Sequence, residues 1–380
     1  MFILKRALVF SLVAGFSVSQ IFAAPDPNFH IYLLFGQSNM AGPCNNDNAT
    51  AAARDPEPAD CDTTNRVKVL AWGDCNRESK PCGFPLKRTF DTWYTAFPPY
   101  HNCHEGIGPA DYFGKTLLDS IREDISIGFV PCALSGQKIE VFMKGQNAPI
   151  DQHTQPTNGS KKISSGGYEW MVKRAKLAQQ SGVIKGILLH QGEANSGEGD
   201  AWVNKVKKIV ADLKTDLSLG DIPFIAGELI QDGPPADQGA KNLNPFVNKL
   251  PNQIPKCAVA SSKDFKVRSG DTWGLHFSCD GIREFGRRYA RAFLSLADPE
   301  FVPRKGDSTR VVYPRAEKHK NMLKSTEGIV SIYTLDGHVL QTFDKISTEN
   351  AMRNVKAKGV YLVSRKLENG SKIVVPFVKN

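Results

Sequence analysis

Residues 36–42 read Gly-Gln-Ser-Asn-Met-Ala-Gly and follow directly on the apolar run Ile31-Tyr32-Leu33-Leu34-Phe35. A buried strand that ends at Gly36 can turn sharply through Ser38, Asn39 and Gly42 into a helix. Such a turn shows a serine hydroxyl at its tip and bares backbone N–H groups where a developing oxyanion is stabilised. Ser38 is therefore the candidate nucleophile. Its turn does the work of the Gly-x-Ser-x-Gly elbow without that spacing, a pattern found nowhere in the chain.

Taken alone, Gln-Ser-Asn is an ordinary polar turn, and its weight comes from partners elsewhere. Acyl transfer by a serine needs a base, a group that orients the base, and donors for the oxyanion. The segment Asp271-Thr-Trp-Gly-Leu-His276-Phe precedes an amphipathic stretch over 281–296, which places His276 on a loop ahead of a helix. A neutral imidazole there takes the hydroxyl proton and returns it to the leaving oxygen. His190-Gln191-Gly192-Glu193 closes another buried run, where active-site groups collect in open α/β sheets. Gln191 is read as an oxyanion donor and Glu193 as the group that orients His276, with Asp271 as the other acid in range. A third loop, Ala133-Leu134-Ser135-Gly136-Gln137, offers Gly136, whose bare backbone approaches an ester closely. Gln37 and Asn39, beside the serine, complete the candidate oxyanion and substrate contacts.

Five short apolar runs, 30–35, 125–131, 183–190, 222–226 and 257–260, are the signature of strands buried on both faces. Between them, 109–122, 168–181, 201–217 and 281–296 carry apolar residues three and four apart. The pattern predicts an α/β domain with a doubly wound parallel sheet over 25–298. After it, 299–327 is rich in Pro, Lys and Arg and reads as a linker. Short strand patterns with turns at Asp336-Gly337 and Asn369-Gly370 predict a small all-β sandwich over 328–380.

The 380-residue chain has a formal charge of +9, but residues 301–380 alone carry 15 Lys/Arg against 7 Asp/Glu. The region that holds the candidate site is close to neutral, so the excess gives no ground for a nucleic-acid partner. Lys5 and Arg6, an apolar stretch from Ala7 to about Val18, and Ala23-Ala24 form a secretory signal pattern over 1–23. No later segment is apolar and long enough to span a membrane. Eight cysteines in an exported chain predict up to four disulfides. Five lie in 44–103, a stretch without periodicity that reads as an insertion held by cross-links. A zinc reading of His101, Cys103 and His104 is poor, since no Cys-x-x-Cys pair occurs. A P-loop reading of Gly114-Lys115-Thr116 fails on spacing, and a glycoside hydrolase built on Glu193 and Asp271 would leave Ser38 idle.

Through Gly36-Gln-Ser-Asn-Met-Ala-Gly42, Gly106-Ile-Gly-Pro109, Ser135-Gly136, His190-Gln-Gly-Glu193 and Gly274-Leu-His-Phe277 with Gly281 and Gly286, the chain resembles the SGNH hydrolases. Within them it is most similar to carbohydrate esterase family 6 and the sialic-acid O-acetylesterase-like proteins. The resemblance implies a flavodoxin-like three-layer α/β/α fold and a serine esterase without metal or cofactor. It also implies removal of acetyl groups from a plant polysaccharide such as xylan, with sialate O-acetylesterase as the alternative. A non-catalytic carbohydrate-binding protein on the same scaffold is the reading from outside enzymology. General SGNH enzymes carry an oxyanion asparagine where Gln191 stands, and an aspartate where Trp273 stands, three residues before the histidine. The resemblance to family 6 therefore gives the orienting role to Glu193, unless the loop bulges and brings Asp271 to His276. A disulfide between Cys257 and Cys279, which flank that loop, is expected to hold it. The tail from about Gly328 resembles the sorting modules of type IX-like secretion, which implies contact with secretion machinery or the cell surface.

Overall fold

The computed structural model describes residues 24–44, 57–78, 82, 85–231, 238–297, 329–333, 339–344, 347–355, 359–366 and 372–379. The expected signal segment and linker lie outside these residues. Strand β1 (Phe29–Gly36) leads into the single-turn helix α1 (Ser38–Ala41). Next come β2 (Val67–Leu70), the paired β3 (Cys75–Arg77) and β4 (Leu86–Arg88), and β5 (Trp93–Thr95). Helix α2 (Pro109–Leu118), β6 (Ser126–Pro131), the small hairpin of β7 (Thr157–Asn158) and β8 (Lys161–Lys162), and α3 (Gly167–Gln179) follow. The domain is completed by β9 (Val183–His190), α4 (Asp200–Asp216), β10 (Phe224–Gly227), α5 (Gln238–Val247), β11 (Cys257–Ala260) and α6 (Cys279–Leu296).

Seven strands form one sheet in the order β11-β10-β9-β1-β6-β2-β5, parallel except for β5. The chain leaves β1 toward β6 and later returns to β1's other edge with β9, so the strand order reverses between β1 and β9. Crevices at the carboxyl ends of strands open at such a reversal. Alternation along β1 builds the layers: Ile31, Leu33 and Phe35 join the core under α3 and α4, while Tyr32 and Leu34 join the core under α2 and α6. Helices α2 and α6 touch at Gly286, where a Cβ would stand 2.3 Å from the Pro109 carbonyl oxygen.

The five apolar runs all become strands of this sheet. What the sequence did not announce is that β2 and β5, inside the cysteine-rich stretch, extend it. The insertion therefore has a core as well as cross-links. Val67, Val69 and Leu70 are buried, and the buried Arg174 of α3 donates to the carbonyls of Leu70, Ala71 and Trp72. These strands are too short for their apolar alternation to register.

A second link joins the insertion to the helical layer. Asp60 and Arg283 are both nearly inaccessible and pair through two hydrogen bonds, Nε to Oδ1 at 3.0 Å and a terminal nitrogen to Oδ2 at 2.8 Å. Tyr112 Oη and the Glu57 N–H also donate to Asp60. Burial raises the Asp60 pKa, but the hydrogen bonds from Arg283, the Glu57 N–H and Tyr112, with the Arg283 charge, together outweigh it and hold the carboxyl below its ordinary value.

At the C-terminus, β12 (Ile329–Tyr333), β13 (Val339–Asp344), β14 (Gly359–Lys366) and β15 (Lys372–Lys379) form an antiparallel sheet in the order β13-β12-β14-β15. Where a sandwich is expected, the described residues form one antiparallel sheet. A short helix, Thr348–Arg353, packs on it, and Ala351, Val330, Ile332 and Val363 are buried. The two expected turns, 336–337 and 369–370, lie outside the described residues. Asp60→Ala leaves Arg283 buried without its main partner and should cost about 3–5 kcal/mol of stability. Urea unfolding at pH 7 checks this.

Candidate functional site

The site begins where β1 and β9 end side by side. Gly36 has φ +133°, and a Cβ on it would lie 1.9 Å from the His190 carbonyl oxygen. Only glycine lets the two strand ends come this close. The Gln37 N–H then donates to that carbonyl at 2.9 Å, and α1 starts at Ser38, which is half-buried. Among the described residues the N–H of Ser38 meets no acceptor, as the geometry of a helix's first turn dictates.

The histidine loop is a closed reversal between β11 and α6. Arg268 N–H donates to His276 O, and Ser278 N–H to Lys266 O, both at 2.8 Å. Within it, Asp271 Oδ2 accepts from the N–H groups of Leu275 at 2.7 Å and His276 at 3.0 Å. That leaves Oδ1 3.0 Å from His276 Nδ1, while His276 Nε2 lies 3.0 Å from Ser38 Oγ. A carboxylate at Nδ1 places the ring proton there and turns the Nε2 lone pair toward the serine. Burial raises the Asp271 pKa, but hydrogen bonds from the His276 ring and from the His276 and Leu275 amides prevail and bring it to about 2. Asp271 reaches the imidazole across five residues because its own side chain folds the loop around itself.

Glu193 stands elsewhere, which corrects the expectation that it orients His276. Its Oε1 accepts from Asn39 Nδ2 at 2.6 Å and lies 3.6 Å from His190 Nδ1. Asn39, expected as a substrate or oxyanion contact, is fully buried. Its Nδ2 donates also to Leu275 O at 3.0 Å, and its Oδ1 accepts from the Phe277 N–H at 3.2 Å. One amide thus joins the serine turn, the loop after β9 and both sides of His276. Burial lowers the pKa of His190, whose Nε2 lies 3.2 Å from the Glu228 carbonyl.

Gln191 is also buried, and its oxyanion assignment does not fit its hydrogen bonds. Its Oε1 accepts from Trp202 Nε1 at 2.6 Å, which fixes the amide's orientation. Its Nε2 faces Asn195 Oδ1 at 2.6 Å, Gln37 Oε1 at 3.2 Å and the Gln137 carbonyl at 3.3 Å, so both hydrogens are committed. Gln37 Oε1 further accepts from the Ala194 N–H at 3.3 Å, tying the serine turn to the loop after β9. Gly136, by contrast, lies on an exposed turn with φ +73° and open space around it. This turn is held beside the serine by the Leu134 N–H, which donates to Gly36 O at 2.9 Å.

The cysteines pair as Cys44–Cys279, Cys61–Cys82 and Cys75–Cys103. Cys257 is free and buried, as is Cys132, so the expected Cys257–Cys279 bridge is replaced by one from the serine turn to the start of α6. Cys44 follows Gly42 by two residues and Cys279 follows His276 by three, so the bridge clamps the segments of Ser38 and His276 together. Sequence reasoning missed Arg268, which donates to Pro43 O at 2.5 Å and lies 3.7 Å from Asp271 Oδ1. It also missed Asn195 and Trp202, which fix Gln191. Gly270 and Gly274, both at positive φ, were the available signal that the loop between them turns tightly enough for Asp271 to reach His276.

A family profile described as "Carbohydrate esterase, sialic acid-specific acetylesterase" matches residues 28–295. A protein of Arabidopsis thaliana described as a probable carbohydrate esterase is 24% identical over 285 residues, covering 72% of this chain and 93% of its own. Its crystal structure superposes with a TM-score of 0.53 at 23% identity, over 71% of this chain and 99% of that one, which shows a shared fold. NanS (TM-score 0.49, 18% identity, 71% and 98% coverage) and a carbohydrate acetylesterase from Xanthomonas citri (0.48, 15%, 92% and 80%) are also similar.

Two outcomes are expected. A non-reducing peptide map should yield a Cys44–Cys279 cross-linked fragment, and Cys257 should react with an alkylating agent only after unfolding. Because the folded Asp271 pKa of about 2 lies below its ordinary value, the stability it contributes is present above about pH 4 and lost as pH falls toward 2. Urea midpoints between pH 4 and pH 2 should therefore fall more steeply for the wild type than for Asp271→Asn.

Proposed function

The chain belongs to the carbohydrate esterase family described as sialic acid-specific acetylesterases, and from that premise we propose that it is an exported serine esterase that removes O-acetyl groups from a neutral polysaccharide of the acetylxylan type. The observation that carries the proposal is the unbroken line Ser38 Oγ, His276 Nε2, His276 Nδ1, Asp271 Oδ1, with 3.0 Å at each hydrogen bond.

In this reading Ser38 Oγ attacks the acetyl carbonyl carbon while His276 Nε2 takes its proton. The oxyanion is met by the N–H groups of Ser38 and Gly136, which meet no acceptor among the described residues. The imidazolium, stabilised by Asp271, gives its proton to the sugar oxygen as the C–O bond breaks and an acetyl-enzyme forms. Water, deprotonated by His276, then releases acetate and restores Ser38. Gln191 serves by holding Gln37, and Glu193 by holding Asn39; both are positioning residues.

The substrate assignment rests on the sequence resemblance to carbohydrate esterase family 6. Arg268, the guanidinium beside the triad, is committed to Pro43 O and Asp271 and so is not offered to a sialate carboxylate. The family's description favours a sialate. Export is supported by the three disulfides, which persist in oxidising compartments. Among the described residues no helix is long and apolar enough to cross a membrane. A sorting or attachment role for the C-terminal sheet rests on its sequence resemblance alone.

Acetate release from acetylated xylan and from O-acetylated sialic acid, measured in parallel, tests the proposal. Xylan should be preferred, and Ser38→Ala, folded by circular dichroism, should release nothing. Asp271→Asn should lower kcat by roughly 10²- to 10⁴-fold, and Glu193→Gln by much less. Preference for the sialate ester would transfer the substrate assignment to the alternative. A larger loss in Glu193→Gln than in Asp271→Asn would overturn the roles given to the two acids.

A further inference from the structure

Trp273 differs from the other tryptophans. Trp72, Trp170 and Trp202 are buried at 5% exposure or less and Trp93 is half-buried, whereas Trp273 is 67% exposed. Leaving so large an apolar surface in water is unfavourable. Its ring centroid lies 6.4 Å from that of His276, with the planes inclined at 46°. The ring therefore stands at the rim of the triad, within the span of one or two sugar residues from Ser38 Oγ.

The backbone that carries it is fixed. Trp273 sits inside a turn closed by the Gly274 N–H donating to Asp271 O at 3.2 Å, and the turn just before it is closed by the Asp271 N–H donating to Arg268 O at 3.1 Å. Glycines at positive φ, Gly270 and Gly274, stand on either side of it in this loop, and Asp271 Oδ2 binds the two amides that follow. Asn39 and the Cys44–Cys279 bridge anchor the same loop to the serine turn. A rigid aromatic face costs little ordering entropy on binding. On the Gly136 side of the serine, the turn exposes bare backbone and open space, so the way in is not closed by a second side chain at that position.

We infer that Trp273 is a sugar platform: its indole face stacks on the apolar C–H face of a pyranose ring in the oligosaccharide whose acetyl group is presented to Ser38. The ligand's identity rests on the esterase reading above; the platform itself is a separate claim. Trp273 makes no covalent step and moves no proton, and its contribution is to substrate binding and to the choice of sugar esters over simple ones.

The test compares wild type, Trp273→Phe and Trp273→Ala on acetylated xylo-oligosaccharides and on ethyl acetate, an ester with no ring to stack. The ratio of kcat/KM for the oligosaccharide over ethyl acetate should fall about tenfold in Trp273→Ala, carried by KM, and recover most of the loss in Trp273→Phe. An unchanged ratio overturns the inference. So does an equal loss on both esters, which would mean that the indole only supports the loop of His276. Binding is read separately in the Ser38→Ala protein by titrating xylohexaose and following tryptophan fluorescence. A saturable change that disappears in Ser38→Ala/Trp273→Phe supports the platform, and no change, or one that survives the second substitution, overturns it. A Trp273-dependent fluorescence change in a protein whose wild type cleaves no acetyl ester would sink the esterase reading and leave the platform standing.

Discussion

The candidate site depends on one buried amide. Asn39 lies next to Ser38, on a single-turn helix too short to hold its own geometry. Its side chain supplies what the helix lacks by bonding at once to Glu193, the Leu275 carbonyl and the Phe277 N–H. Three loops from three separate strand ends are thereby set against one another around a group with no access to water. Each of those hydrogen bonds, if broken, would leave a buried polar group unpaired at about 1–3 kcal/mol, so alternative placements of Ser38 and His276 are strongly disfavoured.

Helix α6 transmits this constraint to the rest of the domain. At its start Cys279 is tied to Cys44, and a turn later Arg283 is tied to Asp60 and packed beside Tyr112 of α2. Both ties run to the insertion that begins just after the serine turn. The insertion is thus a brace between the serine turn and the helix that follows His276, and two of its short strands, β2 and β5, make it continuous with the main sheet. On the opposite side, Trp202 of α4 fixes Gln191, which fixes Gln37, so the serine turn is held from both helical layers.

The division of labour between the two acids follows from these contacts. Glu193 is aimed at Asn39 and His190, inside the protein, whereas Asp271 is aimed at the imidazole and stays ionised to about pH 2 because three hydrogen bonds serve its charged form. A spacing of five residues from acid to histidine allows direct contact only if the loop bulges. It works because Asp271 accepts the amides of Leu275 and His276 and so closes the loop on itself, an arrangement that puts Trp273 at the loop's outer tip. Residue type alone does not reveal which polar side chains direct their hydrogen bonds inward; Gln191, Asn39 and Glu193 all do.

Much of the protein was legible in its order of residues. The five buried strands, four of the flanking helices, the serine turn and the histidine loop follow from hydrophobic periodicity and from glycine placement, which are local properties of a chain. The strands β2 and β5 were not legible, because three or four residues carry too little periodicity and their pairing is with residues far along the chain. Nor were the partners of Cys279, Glu193, Asn39 and Gln191, since each is separated from its partner by a route through the fold that spacing does not encode. The sequence by itself determined which chemistry was on offer, a serine, a histidine and two acids at strand ends. Only the tertiary structure decided that Asp271 meets His276 and that Cys44 meets Cys279, because hydrogen bonds and disulfides act over a few ångströms, and proximity is settled by packing.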